Sequence, residues 1–255
     1  YNTVSNEDGD ISDVSDHEAN TDADADQDEQ HMNENENETD EQPLPQPDDN
    51  TMCKVLLHPG WLLMISNVFI FGIAQSLVLE YLFLFILNEY RAGEIVCGVT
   101  TIVMVLGELV IFYNSTWLLQ KVGILGLDLI AHLSYVARVF YYTVFPLQPS
   151  YAWYLVIAEP MHGFTFAGYW ISSVEYMNRI TPLRYKSTFM GILNGVFYGA
   201  SYMVGSVIGG FMYQGNGPVF MYRVWAFIIL SWMVVYNVAF KCLGWLQPHT
   251  KAVLH

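Results

Sequence analysis

The sequence predicts an all-α membrane protein, a bundle of six transmembrane helices preceded by a disordered acidic segment. Two parts of the chain with contrasting compositions predict this architecture. Residues 1–50 hold 18 of the 25 acidic residues and no lysine or arginine. From Trp61 onward, the chain consists of long apolar runs joined by short polar stretches such as NEYRAGE and PLQPS. The net charge of −15 therefore belongs to the first part of the chain.

Residues 1–55 are predicted to form the disordered acidic segment. The stretch TDADADQDEQHMNENENETD combines like charges with polar repeats, so it cannot bury enough apolar surface to offset the entropy of ordering. A solvated tether is the favoured interpretation. Weak calcium buffering and the docking of a partner are the alternatives, although no EF-hand spacing supports calcium.

Six apolar runs are long enough to cross a bilayer, whose core of about 30 Å needs roughly 20 helical residues. Their length excludes barrel strands, and backbone polar groups in lipid must be satisfied within the segment, so helices are predicted. Six buried helices of a soluble protein would show polar faces at the helical period, which most of these runs lack. The predicted spans are 61–87, 95–113, 124–145, 151–176, 188–213 and 219–240.

The lysines and arginines predict the orientation of the bundle. With residue 60 in the cytoplasm, seven of the ten lie at inner loops and ends, and two lie at outer loops. Both ends of the chain are therefore expected in the cytoplasm, and the identity of the membrane stays open. The expected organisation is an acidic cytoplasmic segment (1–55), a six-helix bundle (56–245) and a short cytoplasmic tail (246–255).

Ionisable side chains inside the spans are the candidate functional residues, because an ion facing lipid costs at least a few kcal/mol. With a rise of about 1.5 Å per residue, His162 and Glu108 fall near mid-membrane, and Arg138, Glu159 and Glu80 lie roughly 5 to 10 Å further out. We expect these groups to face a shared cavity.

One helix face of the fourth span carries three of the candidates. Glu159, His162 and Thr165 recur every third position and therefore share that face. Pro160 removes a backbone donor beside them and loosens the helix at this point. A binding function for this face is therefore predicted.

The charges of the candidates do not balance. Glu80, Glu108 and Glu159 stand against one obligate cation, Arg138, so one pairing leaves two acids over. An unpaired carboxyl removed from water takes up a proton more readily, and His162 belongs to the residue type that titrates near neutrality. The cluster therefore favours a proton-coupled carrier over a hydrogen-bond network that only fixes packing, at about 1 kcal/mol or less per contact.

A further polar face lies on the third span, where Asp128, His132 and Tyr135 align. Asp128 falls near the start of this span, where negative charge is favoured by the helix dipole. A position at the helix start is therefore the preferred interpretation of Asp128.

The run EPMHGFTFAGYW, followed by RITPLRYKSTFMGILNGVFYGASYMVGSVIGGFMY, resembles the C-terminal half of the major facilitator superfamily, in particular its associated-domain (MFS_1-like) group. That group is similar to the lactose permease type of proton symporter. The resemblance covers about residues 56–245. It implies that the spans are transmembrane helices seven to twelve, that 1–55 ends a central cytoplasmic loop, and that six further helices lie upstream.

The resemblance also implies roles for single residues. LGEL places Glu108 at the helix-eight carboxylate of the permease type, which takes part in sugar recognition and proton coupling. YVARVF places Arg138 at the helix-nine arginine, and MHGF places His162 at the helix-ten histidine. The sequence departs from the pattern at Thr165, where the permease type has its coupling carboxylate, and at Glu159, where it has a lysine.

A secondary transporter that moves a small solute, with protons, by alternating access is the leading hypothesis. A non-transporting receptor or adaptor, recruiting a partner through the acidic segment, is the alternative. An enzyme is disfavoured because the spans carry no metal-binding pair, nucleophile elbow or aspartate pair, and a channel is disfavoured because no re-entrant loop is evident. No catalytic residue, cofactor, metal ion or nucleic-acid partner is expected. The lipid bilayer is expected as a partner of the chain.

Overall fold

The computed structural model describes residues 56–246, and every regular element in that range is helical. The predicted all-α architecture is therefore confirmed. The predicted segment 1–55 and residues 247–255 of the predicted tail lie outside the described residues. The α-helices are α1 (Pro59–Leu84), α2 (Glu94–Tyr113), α3 (Ser115–Tyr142), α4 (Ala152–Ala158), α5 (Tyr169–Ile180), α6 (Lys186–Asn194), α7 (Tyr202–Asn216) and α8 (Pro218–Leu246).

Short 3₁₀ and π-helical turns extend or join these helices into longer helical runs. One such run, here called the fourth run, extends over residues 149–180 and contains α4 and α5. The 3₁₀ turns are Pro149–Tyr151, Glu159–Met161 and Leu183–Tyr185, and the π-helical turns are Phe85–Glu89, Gly163–Gly168 and Gly195–Ser201.

Five helical runs within 56–246 are long and apolar enough to cross a membrane, and they correspond to five of the six predicted spans, although the third run ends at Tyr142 and the predicted span at residue 145. The remaining predicted span, 151–176, lies in the fourth run. This run is helical but is not among the five, since Glu159, His162 and Glu175 lower its hydropathy. The five are Pro59–Glu89, Glu94–Tyr113, Ser115–Tyr142, Leu183–Asn216 and Pro218–Leu243.

The joint between the second and third predicted spans is helical instead of an open loop. Residues 115–122 belong to α3, and the backbone leaves helical geometry only at Gly123, with φ 75° and ψ 172°. Glycine adopts this positive φ without steric cost, so it permits the change of direction there. Leu118 gives the segment an apolar partner, because it packs in a small cluster with Ile111 and Leu127.

Helix packing brings α2, α3 and the fourth run together. α3 packs against α5, α8 and the π-helical turn of the fourth run, and α2 packs against the irregular turns of the same run. On the other side, α1 packs against α7 and α8. The irregular middle of the fourth run is therefore enclosed between α2 and α3.

Two glycines allow α2 and the fourth run to approach closely. A Cβ on Gly163 would collide with the carbonyl group of Gly107, and a Cβ on Gly107 would lie 2.8 Å from the carbonyl oxygen of Pro160. Small residues at such crossings are typical of membrane helices. The approach places Glu108, which follows Gly107, beside His162, which precedes Gly163.

Candidate functional site

Arg138 is the centre of a buried polar network. Its Nη2 atom lies 2.5 Å from Glu159 Oε2, and both side chains are fully buried. Its Nε atom donates to the hydroxyl of Tyr142, which in turn donates to Glu159 Oε1. Charge-assisted hydrogen bonds therefore close a ring of three side chains, in which arginine and glutamate neutralise each other.

His162 connects Arg138 to Glu108. Its Nδ1 atom lies 2.6 Å from Arg138 Nη1 and 3.5 Å from Gln75 Nε2. Both neighbours can only donate, because arginine keeps its protons in proteins and an amide nitrogen is no acceptor. Nδ1 therefore accepts, and the hydrogen of the neutral imidazole lies on Nε2. That hydrogen is donated to Glu108 Oε1, at a distance of 2.9 Å.

Glu108 is the more open end of the network. Its side chain is 23% exposed, whereas that of His162 is 3% exposed. The network thus extends from a partly exposed carboxylate to a fully buried ion pair.

Pro160 shapes the fourth run where this network crosses it. Proline lacks the backbone N–H group and clashes with the preceding turn of a regular α-helix. The backbone accordingly changes to a 3₁₀ turn and then to a π-helical turn, an irregularity that is frequent at functional sites. Glu159, His162 and Thr165 are all buried here, and Thr165 donates to the carbonyl oxygen of His162 at 3.0 Å.

The structure joins five of the six predicted site residues. Glu80 is not joined to them by a hydrogen bond or ion pair within the described residues, and its carboxylate accepts a hydrogen bond from the hydroxyl of Ser206 of α7 at 2.7 Å. Since Arg138 pairs with Glu159, the two acids left over are Glu80 and Glu108. The five that meet are Glu108, Arg138, Glu159, His162 and Thr165.

Two members of the network, Tyr142 and Gln75, were not predicted. Tyr142 follows Arg138 by four positions, a spacing that places both on one helix face. Gln75 is a lone amide in a long apolar run, and polar residues inside membrane helices face the bundle interior. The sequence therefore contained a signal for each of them.

A second buried network lies further back along α3. Asp128, which is 3% exposed, accepts from Asn67 Nδ2 at 3.0 Å, and His132 Nδ1 donates to the carbonyl oxygen of Asp128 at 2.8 Å. Asn67 Oδ1 lies 2.8 Å from Trp232 Nε1 and 3.2 Å from His132 Nε2. The interpretation of Asp128 as a helix-start residue is therefore incomplete, because its side chain belongs to a network that connects α1, α3 and α8.

Comparisons with known proteins agree with this architecture. The model of the MFS_1-like family, described as "MFS_1 like family", matches residues 13–224. The chain is 26% identical over 187 residues to the Mus musculus protein "Major facilitator superfamily domain-containing protein 6-like", and 21% identical over 178 residues to the Homo sapiens protein of the same name. Each match covers 69% of this chain and 29% of the relative, so the chain spans less than a third of the length of these relatives. No solved structure matches the chain significantly.

Proposed function

Because the chain belongs to the MFS_1-like family of the major facilitator superfamily, we propose that the protein that contains it is a secondary active transporter, which moves a small solute by alternating access and couples this movement to protons. Membership of this family favours a transporter over an enzyme. The observation that supports proton coupling is the continuous series of ionisable side chains Glu108, His162, Arg138 and Glu159, contributed by three helical runs.

The same proposal assigns a place to each part of the chain. Residues 56–245 form the C-terminal six-helix bundle of a twelve-helix transporter, with six further helices upstream. Residues 1–55 end its central cytoplasmic loop, and residues 246–255 form a cytoplasmic tail. The distribution of lysine and arginine over the loops supports this orientation.

Glu108 is the proposed proton acceptor. One of its oxygens, Oε1, accepts from His162 Nε2, and its side chain is partly exposed. A proton on Oε2 removes the negative charge without requiring the contact with His162 to break. Loading and release of a proton at Glu108 therefore need no rearrangement of the buried Arg138–Glu159 pair.

His162 responds to a proton in a different way. A second ring proton would sit on Nδ1, where it would meet the N–H group of Arg138 at a distance that now allows a hydrogen bond. Two donors repel each other, so Arg138 would have to withdraw. Because Arg138 lies on α3 and His162 on the fourth run, protonation of His162 biases the relative position of two helical runs, as a coupled transporter requires.

The test uses the full-length protein in proteoliposomes and a panel of labelled small solutes. An imposed pH gradient is expected to drive accumulation of a solute, and Glu108→Gln is expected to abolish pH-driven accumulation, because the amide oxygen still accepts from His162 but the side chain cannot titrate. Glu175→Gln is the matched control, since Glu175 is paired with Arg179 and about a third exposed. Transport that ignores both the gradient and Glu108→Gln contradicts proton coupling.

The receptor or adaptor hypothesis predicts the opposite pattern. Deletion of residues 1–50 would abolish its function, while Glu108→Gln would have no effect. The transporter proposal expects solute movement to survive that deletion. The deletion of residues 1–50 and the Glu108→Gln substitution therefore separate the two hypotheses in one set of measurements.

A further inference from the structure

A small polar cavity lies beside Asp128, apart from the Arg138 network. Its volume of about 10 Å³ accommodates one water-sized particle. Met64 and Ile124 close its apolar sides. The polar lining comes from Asp128 on α3, Ser172, Ser173 and Tyr176 on α5, and Tyr236 on α8.

Two of the lining groups lack a hydrogen-bond partner among the described residues, namely Asp128 Oδ2 and the Tyr176 hydroxyl. Asp128 is 3% exposed and Tyr176 is 2% exposed, so neither is satisfied by bulk solvent. The charged neighbour of Asp128 Oδ2 is His132 Nδ1 at 3.4 Å, which already donates to a backbone carbonyl at 2.8 Å. A buried carboxylate oxygen in this position is costly unless a further ligand reaches it.

The hydroxyl of Ser172 limits the ligand to a hydrogen-bond donor such as water or to a cation, and the negative charge of Asp128 favours the cation. The Ser172 hydroxyl donates its hydrogen to the carbonyl oxygen of Tyr169 at 2.7 Å, so only its lone pairs remain for the cavity. The cavity therefore presents a carboxylate oxygen and a hydroxyl oxygen that cannot donate. Such oxygens are hard ligands, which suit alkali and alkaline-earth cations. The single carboxylate of the lining balances one positive charge.

We propose that this cavity binds a monovalent cation, with Asp128 Oδ2 as the charged ligand and the hydroxyl oxygens of Ser172 and Tyr176 in its shell. Bound there, the cation ties α3 and α5 together. This inference does not depend on the transporter proposal.

The titratable groups that face this carboxylate are His132 on α3, Tyr169 and Tyr176 on α5, and Tyr236 on α8, whereas α1 contributes the uncharged Asn67 and Met64. No lysine or arginine is among these described groups, so a bound cation would supply the fixed counter-charge of Asp128.

The test measures thermal unfolding of the full-length protein in detergent, in sodium chloride and in choline chloride of equal ionic strength. A cation that binds only the folded state raises Tm in proportion to the logarithm of its concentration above half-saturation. We expect this rise with sodium and no sodium-specific rise in Asp128→Asn. Ser172→Ala is expected to raise the half-saturating sodium concentration about tenfold, as for a loss of one ligand contact.

Each other outcome overturns the assignment. Equal Tm values of the wild type in sodium and choline mean that the cavity holds water only. If Asp128→Asn does not yield folded protein, Ser172→Ala decides, and an unchanged half-saturating concentration contradicts the site. If Glu108→Gln removes the sodium response, the cation acts at the Arg138 network instead. Glu175→Gln is the control that should retain the full response.

Discussion

Two histidines buried in the bundle, His162 and His132, differ in the chemistry of the groups that face their rings. His162 Nδ1 faces the donors Arg138 Nη1 and Gln75 Nε2, so it must accept. The ring of His162 therefore stays neutral in this arrangement, with its hydrogen on Nε2 and directed to Glu108.

The ring of His132 meets acceptors at both nitrogens. Nδ1 faces the carbonyl oxygen of Asp128, and Nε2 faces Asn67 Oδ1. The orientation of the Asn67 amide is determined by Trp232 Nε1, which can only donate to Oδ1, and by the Asp128 carboxylate, which accepts from Nδ2. A ring with a hydrogen on each nitrogen would satisfy both contacts, whereas a neutral ring satisfies only one of them.

Burial does not explain the difference, since His132 is fully buried and His162 is 2% exposed. The hydrogen-bonding partners determine it, because in a bundle that excludes water each donor needs an acceptor. One network contains a fixed cation and forces its histidine to stay neutral. The other contains a carboxylate without a fixed cation, and its histidine meets acceptors at both nitrogens.

Replacement of Arg138, the fixed cation of the first network, is expected to have the largest effect on stability. Arg138→Met leaves Glu159 buried without its counter-charge and is expected to lower the free energy of unfolding by about 3–5 kcal/mol. The double variant Arg138→Met, Glu159→Met removes both charges and should recover most of this loss. Denaturation of the full-length protein in mixed micelles measures both values.

The matched variant in the other network is Asp128→Asn. It also removes one buried charge, but it leaves no fixed cation without its partner, because the described groups around Asp128 include no lysine or arginine. The expected loss is therefore smaller, about 1–3 kcal/mol, as for a disturbed buried hydrogen bond. An equal loss for Arg138→Met and Asp128→Asn would contradict the distinction between a network with a fixed cation and one without.

The next largest effect on the free energy of unfolding is expected where α2 closely approaches the fourth run. Gly163→Ala places a Cβ against the Gly107 carbonyl and should lower the free energy of unfolding by about 1–3 kcal/mol, as overpacking does. Gly191→Ala is the control, because no atom lies within 4 Å of its Cβ and alanine is favoured over glycine in helices by about 1 kcal/mol. If the Gly163→Ala protein is as stable as the Gly191→Ala protein, the contact between Glu108 and His162 does not depend on this crossing.

The sequence permitted prediction of the first network but not of its exact membership. A charge inside an apolar span must find a partner, and helical spacing placed Glu159, His162 and Thr165 on one face, so their meeting with Glu108 and Arg138 could be anticipated. The same reasoning placed Glu80 in this network, because it could not show that the carboxylate of Glu80 has Ser206 as its partner. Whether two helices turn a given pair of faces together depends on tertiary packing, which for Glu80 brings Ser206 of α7 to the carboxylate.

The second network was harder to predict for a related reason. The alignment of Asp128 with His132 on one helix face was visible in the sequence. Their partner Asn67 comes from α1, however, and Trp232, which donates to Asn67, comes from α8. Neither Asn67 nor Trp232 lies at a helical spacing from Asp128 in the sequence, because each belongs to a different helix. The 3₁₀ and π-helical turns of the fourth run were also unpredicted beyond the loosening expected at Pro160, since they change the register of the helix within a few residues.

The smallest energetic effect gives the most direct test of the two histidines. Trp232→Phe removes one hydrogen bond to Asn67 Oδ1 and is expected to cost about 1 kcal/mol. The amide keeps its orientation without this donor, because Asn67 Nδ2 still donates to the Asp128 carboxylate, so Oδ1 continues to face His132 Nε2. Nitrogen-15 NMR of labelled histidine, assigned with His132→Gln and His162→Gln, reports the protonation of each ring.

The wild-type spectrum is expected to show hydrogen on both nitrogens of His132 and on Nε2 alone of His162, because these arrangements satisfy the contacts of each ring. Trp232→Phe should leave both rings unchanged, because Asp128 still holds the Asn67 amide and His162 keeps Arg138 as its neighbour. Identical spectra for the two rings in the wild type would show that their partners do not determine their charge.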